Sequence, residues 1–365
     1  MNAGILHRIS VPKGASLFVE AKSYGRIRPL VDLRFRNDNI EADYIQIPEQ
    51  STILNAVGGG RFRSKIHLSD ANFQTRVRPD DVKYTTIKTL FGGYTSLVMM
   101  QGDINAPGIF VRIMEDLFHD ELGKTIWVHI DNIFVFSDTF ENHIKNVTHA
   151  CSKLPNTGYY ANPKKTGVFA TKLDILADMI DDDGIYPAAE QIRTILDCTR
   201  PENQEVLKRF NGMVNYISQF IPHIATITAP LTELSGNAEW LWTDLQEVAF
   251  KAVKQAADKH KVLRPIDYNK PDMIWLFTDA SPTGTGAWIG HGPTRDAVRP
   301  AAFHSKKLTP SQSNYPTHQQ ETLAIIEVME AFAPHLRHRK FTVVRDHESL
   351  TKRMTQKSLN GRQER

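Results

Sequence analysis

The pattern of apolar and polar positions changes several times along the 365 residues. Up to about residue 60, runs such as A-S-L-F-V-E-A and R-P-L-V-D-L-R set β-branched and aromatic residues among polar ones, which predicts short strands. From about 60 to 190, strand-like and helix-like stretches alternate, as in a mixed α/β region. One helix is strongly signalled there, in N-A-P-G-I-F-V-R-I-M-E-D-L-F. Asn105 or Ala106 takes the cap and Pro107 the first turn, and Ile109, Phe110, Ile113, Met114, Leu117 and Phe118 form one stripe. In V-H-I-D-N-I-F-V-F-S, Val128 to Ser137, apolar residues flank an Asp-Asn centre, which predicts a hairpin with its tip at Asp131–Asn132.

From about 190 to 265 the pattern is helical, punctuated by Pro201, Pro222 and Pro230. Near 271 it changes again. I-W-L-F-T-D-A-S, P-T-G-T-G and A-W-I-G predict a strand, a glycine-rich turn and a strand. A helix at about 318–333 follows, with Ile325, Ile326, Met329, Phe332 and Ala333 on one face, and then a strand, F-T-V-V-R-D. The end, S-L-N-G-R-Q-E-R, reads as cut rather than completed.

Composition narrows the class without naming a function. Hydrophobic residues at 41% and charged residues at 23% describe an ordinary soluble globular protein of two or three domains. A net charge of +3 permits a polyanionic partner but does not demand one. Cys151 and Cys198 have neither a disulfide framework nor metal-ligand spacing, and read as free thiols in a reducing compartment. The start lacks the apolar core of a secretory signal, and no window is apolar enough to span a bilayer. The expectation is an intracellular protein, cytoplasmic or nuclear, with no membrane partner.

The candidate chemistry begins with three acids. Asp279 is predicted at a strand end, Glu321 near a helix start and Asp346 at another strand end. Carboxylates converging from separate elements are what a two-metal site requires. Any one of them alone reads better as a cap or a solvated surface group. Their surroundings change that. F-T-D-A-S-P-T-G-T-G-A, H-S-K-K-L-T-P-S-Q-S-N-Y-P, E-T-L-A-I and F-T-V-V-R-D-H-E-S-L, in that order, resemble the ribonuclease H domain of gypsy-type LTR retrotransposons. The resemblance implies that Asp279, Glu321 and Asp346 are metal-binding catalytic acids. A fourth family acid belongs to a later segment, beyond the end of this chain.

The likeness extends back over almost the whole chain. R-F-N-G-M-V-N-Y-I-S-Q-F-I-P and A-P-L-T-E-L resemble the segment joining polymerase to ribonuclease H. M-Q-G-D-I-N-A-P resembles the loop and helix that lie against template and incoming nucleotide, which assigns Gln101 and Gly102 there. K-S-Y-G-R-I-R-P-L-V-D-L-R-F-R-N resembles the fingers strands whose cations hold a triphosphate, which assigns Lys22 and Arg28. The implied fold is α+β: a right-hand polymerase with fingers, palm and thumb, followed by an incomplete ribonuclease H-like α/β domain. The implied domains are fingers and palm over 1–190, a helical thumb and connection over 191–268, and a ribonuclease H-like domain over 269–365, truncated at its C-terminus.

The hairpin Val128–Ser137 stands where the family has Tyr-x-Asp-Asp. By that match Asp131 is the first acid and a metal ligand, Asn132 replaces the second, and His129 replaces the tyrosine. S-K-I-H-L-S-D-A-N, Ser64 to Asn72, stands where an earlier strand carries the remaining polymerase acid. His67 occupies that position, and Asn72 replaces the aromatic that checks the sugar 2′ position. Ala177 and Asp178 replace a Gly-His pair near the primer terminus.

The resemblance implies an RNA-directed DNA polymerase with hybrid endonuclease activity, using magnesium or manganese. Its partners would be an RNA template, a DNA primer, an RNA–DNA hybrid and deoxynucleoside triphosphates. Magnesium demands hard anionic oxygens in near-octahedral geometry, which an imidazole and an amide supply poorly. Impaired polymerisation is therefore expected. The alternatives are an inactive nucleic-acid-binding remnant, or a decayed copy with no retained role.

Overall fold

The computed structural model describes residues 4–10, 13–21, 27–43, 48–236, 239–268, 270–281 and 284–345. The chain divides into two compact units, Met1–Leu173 and Asp174–Arg365.

The first unit opens with β1 (Leu6–Ile9), β2 (Ala15–Ala21), β3 (Ile27–Val31), a single turn α1 (Arg34–Asn37) and α2 (Gln50–Gly59). It continues with β4 (Phe62–His67), α3 (Ala71–Gln74), β5 (Thr86–Thr89), β6 (Gly92–Ser96) and α4 (Ala106–Leu117). It closes with β7 (Ile126–His129), β8 (Asn132–Ser137), α5 (Phe140–Asn156) and β9 (Gly167–Ala170). The strands make a five-stranded sheet ordered β1-β6-β5-β2-β3 and a four-stranded sheet ordered β7-β8-β4-β9.

The second sheet positions the site, and period-2 alternation is the reason. Ile66 and Leu68 of the β4 segment, Val128 of β7, and Ile133 and Val135 of β8 are buried. They pack with Phe110, Met114 and Phe118 of the α4 segment and Val147, Ala150 and Leu154 of α5 into one core. The predicted α4 stripe holds at Phe110, Met114 and Phe118, with Ile113 and Leu117 packed at its margin. Ile109 is instead 39% exposed. His67 lies out of phase with Ile66 and Leu68.

The second unit begins within β10 (Leu173–Ile175), which forms a three-stranded sheet with β11 (Asp178–Asp181) and β12 (Gly184–Pro187). Four helices follow: α6 (Ala189–Asp197), α7 (Gln204–Tyr216), α8 (Ile224–Leu234) and α9 (Asp244–Asp258). Next come β13 (Met273–Ser281), β14 (Gly284–Gly292), β15 (Arg299–Lys307), α10 (Pro310–Ser313), α11 (Thr317–Ala331), α12 (Ala333–Leu336) and β16 (Phe341–Val344). Their sheet runs β15-β14-β13-β16, with β16 parallel to β13 because α10 to α12 carry the chain back across it.

Two readings of this unit need correction. P-T-G-T-G is not a turn throughout, since β14 already starts at Gly284. Gly286 is there for close approach: a Cβ on it would lie 2.7 Å from the His223 imidazole. The buried face of α11 carries Gln320, Ala324 and Val328, while Ile326 and Met329 are 50% and 39% exposed. Apolar residues occur all round this helix, so its periodicity does not select a side; packing of Val328 and Phe332 onto Leu276 and Ile289 of the sheet does.

Candidate palm and ribonuclease H-like sites

The hairpin tip lies one residue earlier than Asp131–Asn132. His129 pairs with Asn132, which leaves Ile130–Asp131 as the two-residue turn. The cause is tertiary. β4 takes Asn132 into its ladder opposite His67, and the Leu68 N–H donates to the Asp131 carbonyl at 2.8 Å. Ile130 adopts φ +52°, a strained conformation for a β-branched residue. Positive φ at the first central residue alone is the type II′ pattern.

The same pairing places His129, Asn132 and His67 in one row across β7, β8 and β4. Their side chains make a hydrogen-bonded chain. The Asn132 amide nitrogen donates to Asp131 Oδ1 at 2.9 Å, which turns its oxygen towards His67. His67 Nδ1 lies 3.0 Å from that Asn132 Oδ1 and therefore donates to it. His67 Nδ1 is also 3.7 Å from Asp131 Oδ1. Burial holds the His129 imidazole below its usual range, against the opposing field of Asp131, so it is neutral near neutral pH. These residues do not fit a pair of magnesium ions. One carboxylate stands where three anionic ligands are needed, and it already accepts from an amide.

The other assigned residues are placed as follows. Gly102 has φ +93°, open to glycine and costly to other residues, and its carbonyl accepts from Asn37 Nδ2 at 2.8 Å. Asn37 Oδ1 in turn accepts from the Ile104 N–H, and Arg36 pairs with Asp103 at 2.7 Å. α1 thus clamps the loop bearing Gln101 and Gly102. Asn72 is half-buried in α3. Among the described residues no hydrogen bond or ion pair joins Asn72 or Gly102 to the His67–Asn132–Asp131 chain. Lys22 lies outside the described residues; so does the side chain of Arg28, whose backbone pairs with Glu20.

A cavity of about 1170 Å³ in the first unit is lined by Lys13, Arg36, Arg76, Arg78, Lys83 and Arg112, with Asp32, Asp81 and Asp103 as its acids. The palm chain does not border it. Six cations against three acids favour a polyanion there.

In the second unit, Asp279 is exposed near the end of β13, opposite Gly286 of β14. It borders a cleft of about 300 Å³ with His223, Arg295 and Arg345. Glu321 sits in the second turn of α11. Its Oε2 is buried without a hydrogen bond, 3.8 Å from Arg345 Nη1, which is equally unpartnered. An orphaned buried carboxylate oxygen suits a cation, but Arg345 competes for it. Asp346 lies outside the described residues.

Sequence reasoning missed a buried bridge beneath the palm. Ser64 Oγ lies 2.8 Å from His143 Nε2, and His143 Nδ1 lies 3.0 Å from Ser137 Oγ. Burial lowers the His143 pKa below its ordinary value. Seventy-nine residues separate Ser64 from His143, so no local pattern announces the contact.

Ala177 and Asp178 both stand where their own residue type is costly. Leu176 and Ala177 take φ +54° and +68° in succession between β10 and β11. A Cβ is strained there, so Ala177→Gly is expected to stabilise the second unit by about 1 kcal/mol, read as a raised denaturant midpoint at unchanged slope. Asp178 is 2% exposed. Its Oδ2 accepts from Gln219 at 3.3 Å, and its Oδ1 has no hydrogen-bond partner. Burial, then the nearby Asp174, pushes its pKa up to about 7.

Comparison with known proteins follows the two units. Residues 16–180 match the family described as reverse transcriptase (RNA-dependent DNA polymerase), and residues 267–365 match the RNase H-like domain found in reverse transcriptase. The Tf2-7 and Tf2-3 transposon polyproteins of Schizosaccharomyces pombe are each 27% identical to it over 361 residues, 98% of this chain. The chain spans 27% of the length of these curated relatives. Among solved structures, the foamy viral protease-reverse transcriptase dRH in complex with double-stranded DNA matches with a TM-score of 0.89 at 20% identity, over 99% of this chain and 64% of that one. The foamy viral protease-reverse transcriptase in complex with an RNA/DNA hybrid matches at 0.83 and 20% identity, over 98% and 49%. At such identity the likeness carries the fold: a right-hand polymerase followed by a ribonuclease H-like domain. No helix among the described residues is long and apolar enough to cross a membrane.

Proposed function

Because the chain belongs to the reverse transcriptase–ribonuclease H region of gypsy-type LTR-retrotransposon polyproteins, we propose that it grips primer–template without extending the primer detectably. One observation carries this reading: the hydrogen-bonded chain from His67 through Asn132 to Asp131, where polymerisation needs free anionic ligands. In a working palm, divalent ions activate the primer hydroxyl and neutralise charge on the phosphates. Here the Asn132 oxygen accepts a hydrogen bond from His67 Nδ1, and only Asp131 contributes an anion.

Binding does not depend on that site. The cationic cavity of the first unit supplies phosphate contacts without chemistry, and foamy viral relatives of this fold have been solved with double-stranded DNA and with an RNA/DNA hybrid. The proposed partners are an RNA template, a DNA primer and an RNA–DNA hybrid, with deoxynucleoside triphosphates bound more weakly. Fluorescence anisotropy with a labelled hybrid is expected to show binding that falls steeply with salt, beside primer extension indistinguishable from background in magnesium. Extension by the unaltered chain would overturn this reading; salt-independent or absent binding would leave only a copy without a retained role.

A second reading concerns cleavage of RNA in a hybrid, favoured by the orphaned buried Oε2 of Glu321 near the β13 sheet. It requires Asp279 and Glu321 to share a cation with Asp346. An Asp279→Asn variant that cuts as well as the unaltered chain would remove it.

A further inference from the structure

The palm is a poor magnesium site, but its donors form a different kind of site. We propose that His67 Nδ1, Asn132 Oδ1 and the Asp131 carboxylate together take a single ion of the zinc, cobalt or nickel class and discriminate against magnesium. This rests on the reading that the palm no longer holds a polymerising metal pair, and it adds which ion the altered site accepts.

Three observations carry it. The first is spacing. His67 Nδ1 lies 3.0 Å from Asn132 Oδ1 and 3.7 Å from Asp131 Oδ1. Two ligands on one tetrahedral ion, each bonded at 2.0–2.1 Å, stand about 3.4 Å apart, so these separations bracket what an ion between them requires. No three His, Cys, Asp or Glu side chains among the described residues converge on an ion. The third donor here is an amide oxygen.

The second is donor chemistry. An imidazole nitrogen with a carboxylate and an amide oxygen ranks late first-row ions above magnesium, which gains little from nitrogen and dehydrates reluctantly. The Nδ1 proton now given to Asn132 moves to Nε2, and the freed Nδ1 lone pair takes the ion.

The third is scaffolding and access. His67 is held in β4 between β8 and β9, and its N–H donates to Thr166 Oγ1 at 3.2 Å. Asp131 is fixed by the Leu68 N–H, while its side chain stays 39% exposed and gives the ion an entry path. His67 and Asn132, held on paired strands, lose little freedom when an ion binds.

The test is titration of untagged full-length protein with Co²⁺, read by its visible ligand-field absorption, followed by competition with Zn²⁺ and Mg²⁺. The chain has 14 histidines, so background uptake is expected and variants must isolate the site. One equivalent should give the band, Zn²⁺ should remove it, and Mg²⁺ in large excess should not. His67→Ala and, separately, Asp131→Asn should each weaken that equivalent by about 100-fold, the upper end of what even a supporting contact costs a metal site. Asp131→Asn alters a half-exposed turn side chain, so its effect stands even if His67→Ala fails to fold.

His67→Asp/Asn132→Asp should lose the cobalt band and gain saturable Mn²⁺ binding that Mg²⁺ displaces. An unchanged band in Asp131→Asn would overturn the proposal. So would displacement of Co²⁺ by Mg²⁺ at comparable concentration. Primer extension is a separate readout: its absence upholds the impaired palm whatever cobalt does, and its presence overturns that reading even if cobalt binds.

Discussion

Changing His67→Asp and Asn132→Asp together is expected to raise magnesium-dependent primer extension by about 10³- to 10⁴-fold over the unaltered chain. The factor corresponds to about 5 kcal/mol of recovered transition-state stabilisation, a conservative share of what two metals supply. Both positions must change together, because each now occupies the other. With Asp at 67 alone, the Asn132 amide still faces Asp131; with Asp at 132 alone, a carboxylate takes the place of the amide oxygen that faces His67 Nδ1. Each single variant is therefore expected to recover only a small part of the gain, a non-additivity typical of groups acting as a unit. The check is extension rate on an RNA template with matched primer occupancy. A silent double variant that still binds hybrid would move the defect elsewhere in the polymerase, with Asn72 and Ala177 as the next positions to revert.

The second large effect is on stability and has a definite sign in pH. Asp178 has its pKa raised to about 7 by burial, from an ordinary value of 3.8. A carboxyl raised in the folded state binds its proton more tightly there than in the unfolded chain. Its contribution is therefore fully favourable below about pH 4 and is lost as pH rises through 7. Asp178→Asn keeps the shape and an amide able to meet Gln219, but carries no charge to bury. It should stabilise the second unit by about 2–4 kcal/mol at pH 8 and leave it nearly unchanged at pH 4. Denaturant unfolding of both chains at the two pH values tests this, since the pairwise difference cancels every other titrating group. Equal stabilisation at both pH values would mean that shape, not charge, governs the site.

Much of the fold was legible locally. The strands around Ala15–Val31, the α4 helix with its Pro107 start, and the helices between 189 and 258 follow their hydrophobic periods, with Pro201 and Pro222 between helices; Pro230 does not punctuate the stretch as expected, since it lies inside α8. Errors occurred where the period carries no vector. α11 is apolar on several sides, and its buried face, Ala324 and Val328, was set by the sheet it meets. The 128–137 hairpin was recognised, but its tip moved because β4, some 65 residues away, pairs with Asn132. The clamp of Asn37 on Gly102 and the bridge of Ser64 to His143 likewise join distant segments and leave no mark on either alone.

The sequence by itself determined which chemical groups stand at each position: an imidazole at 67, an amide at 132, one carboxylate at 131, and a carboxyl at 178. Ligand hardness and charge are properties of those groups, so the poor match to magnesium needed no coordinates. The tertiary structure alone decided what the groups do to one another. Cross-strand pairing brought His67, Asn132 and Asp131 into one hydrogen-bonded chain, and packing buried Asp178 until its charge became costly. Partners, distances and local dielectric are set by segments far apart in the chain, and they exist only once those segments meet.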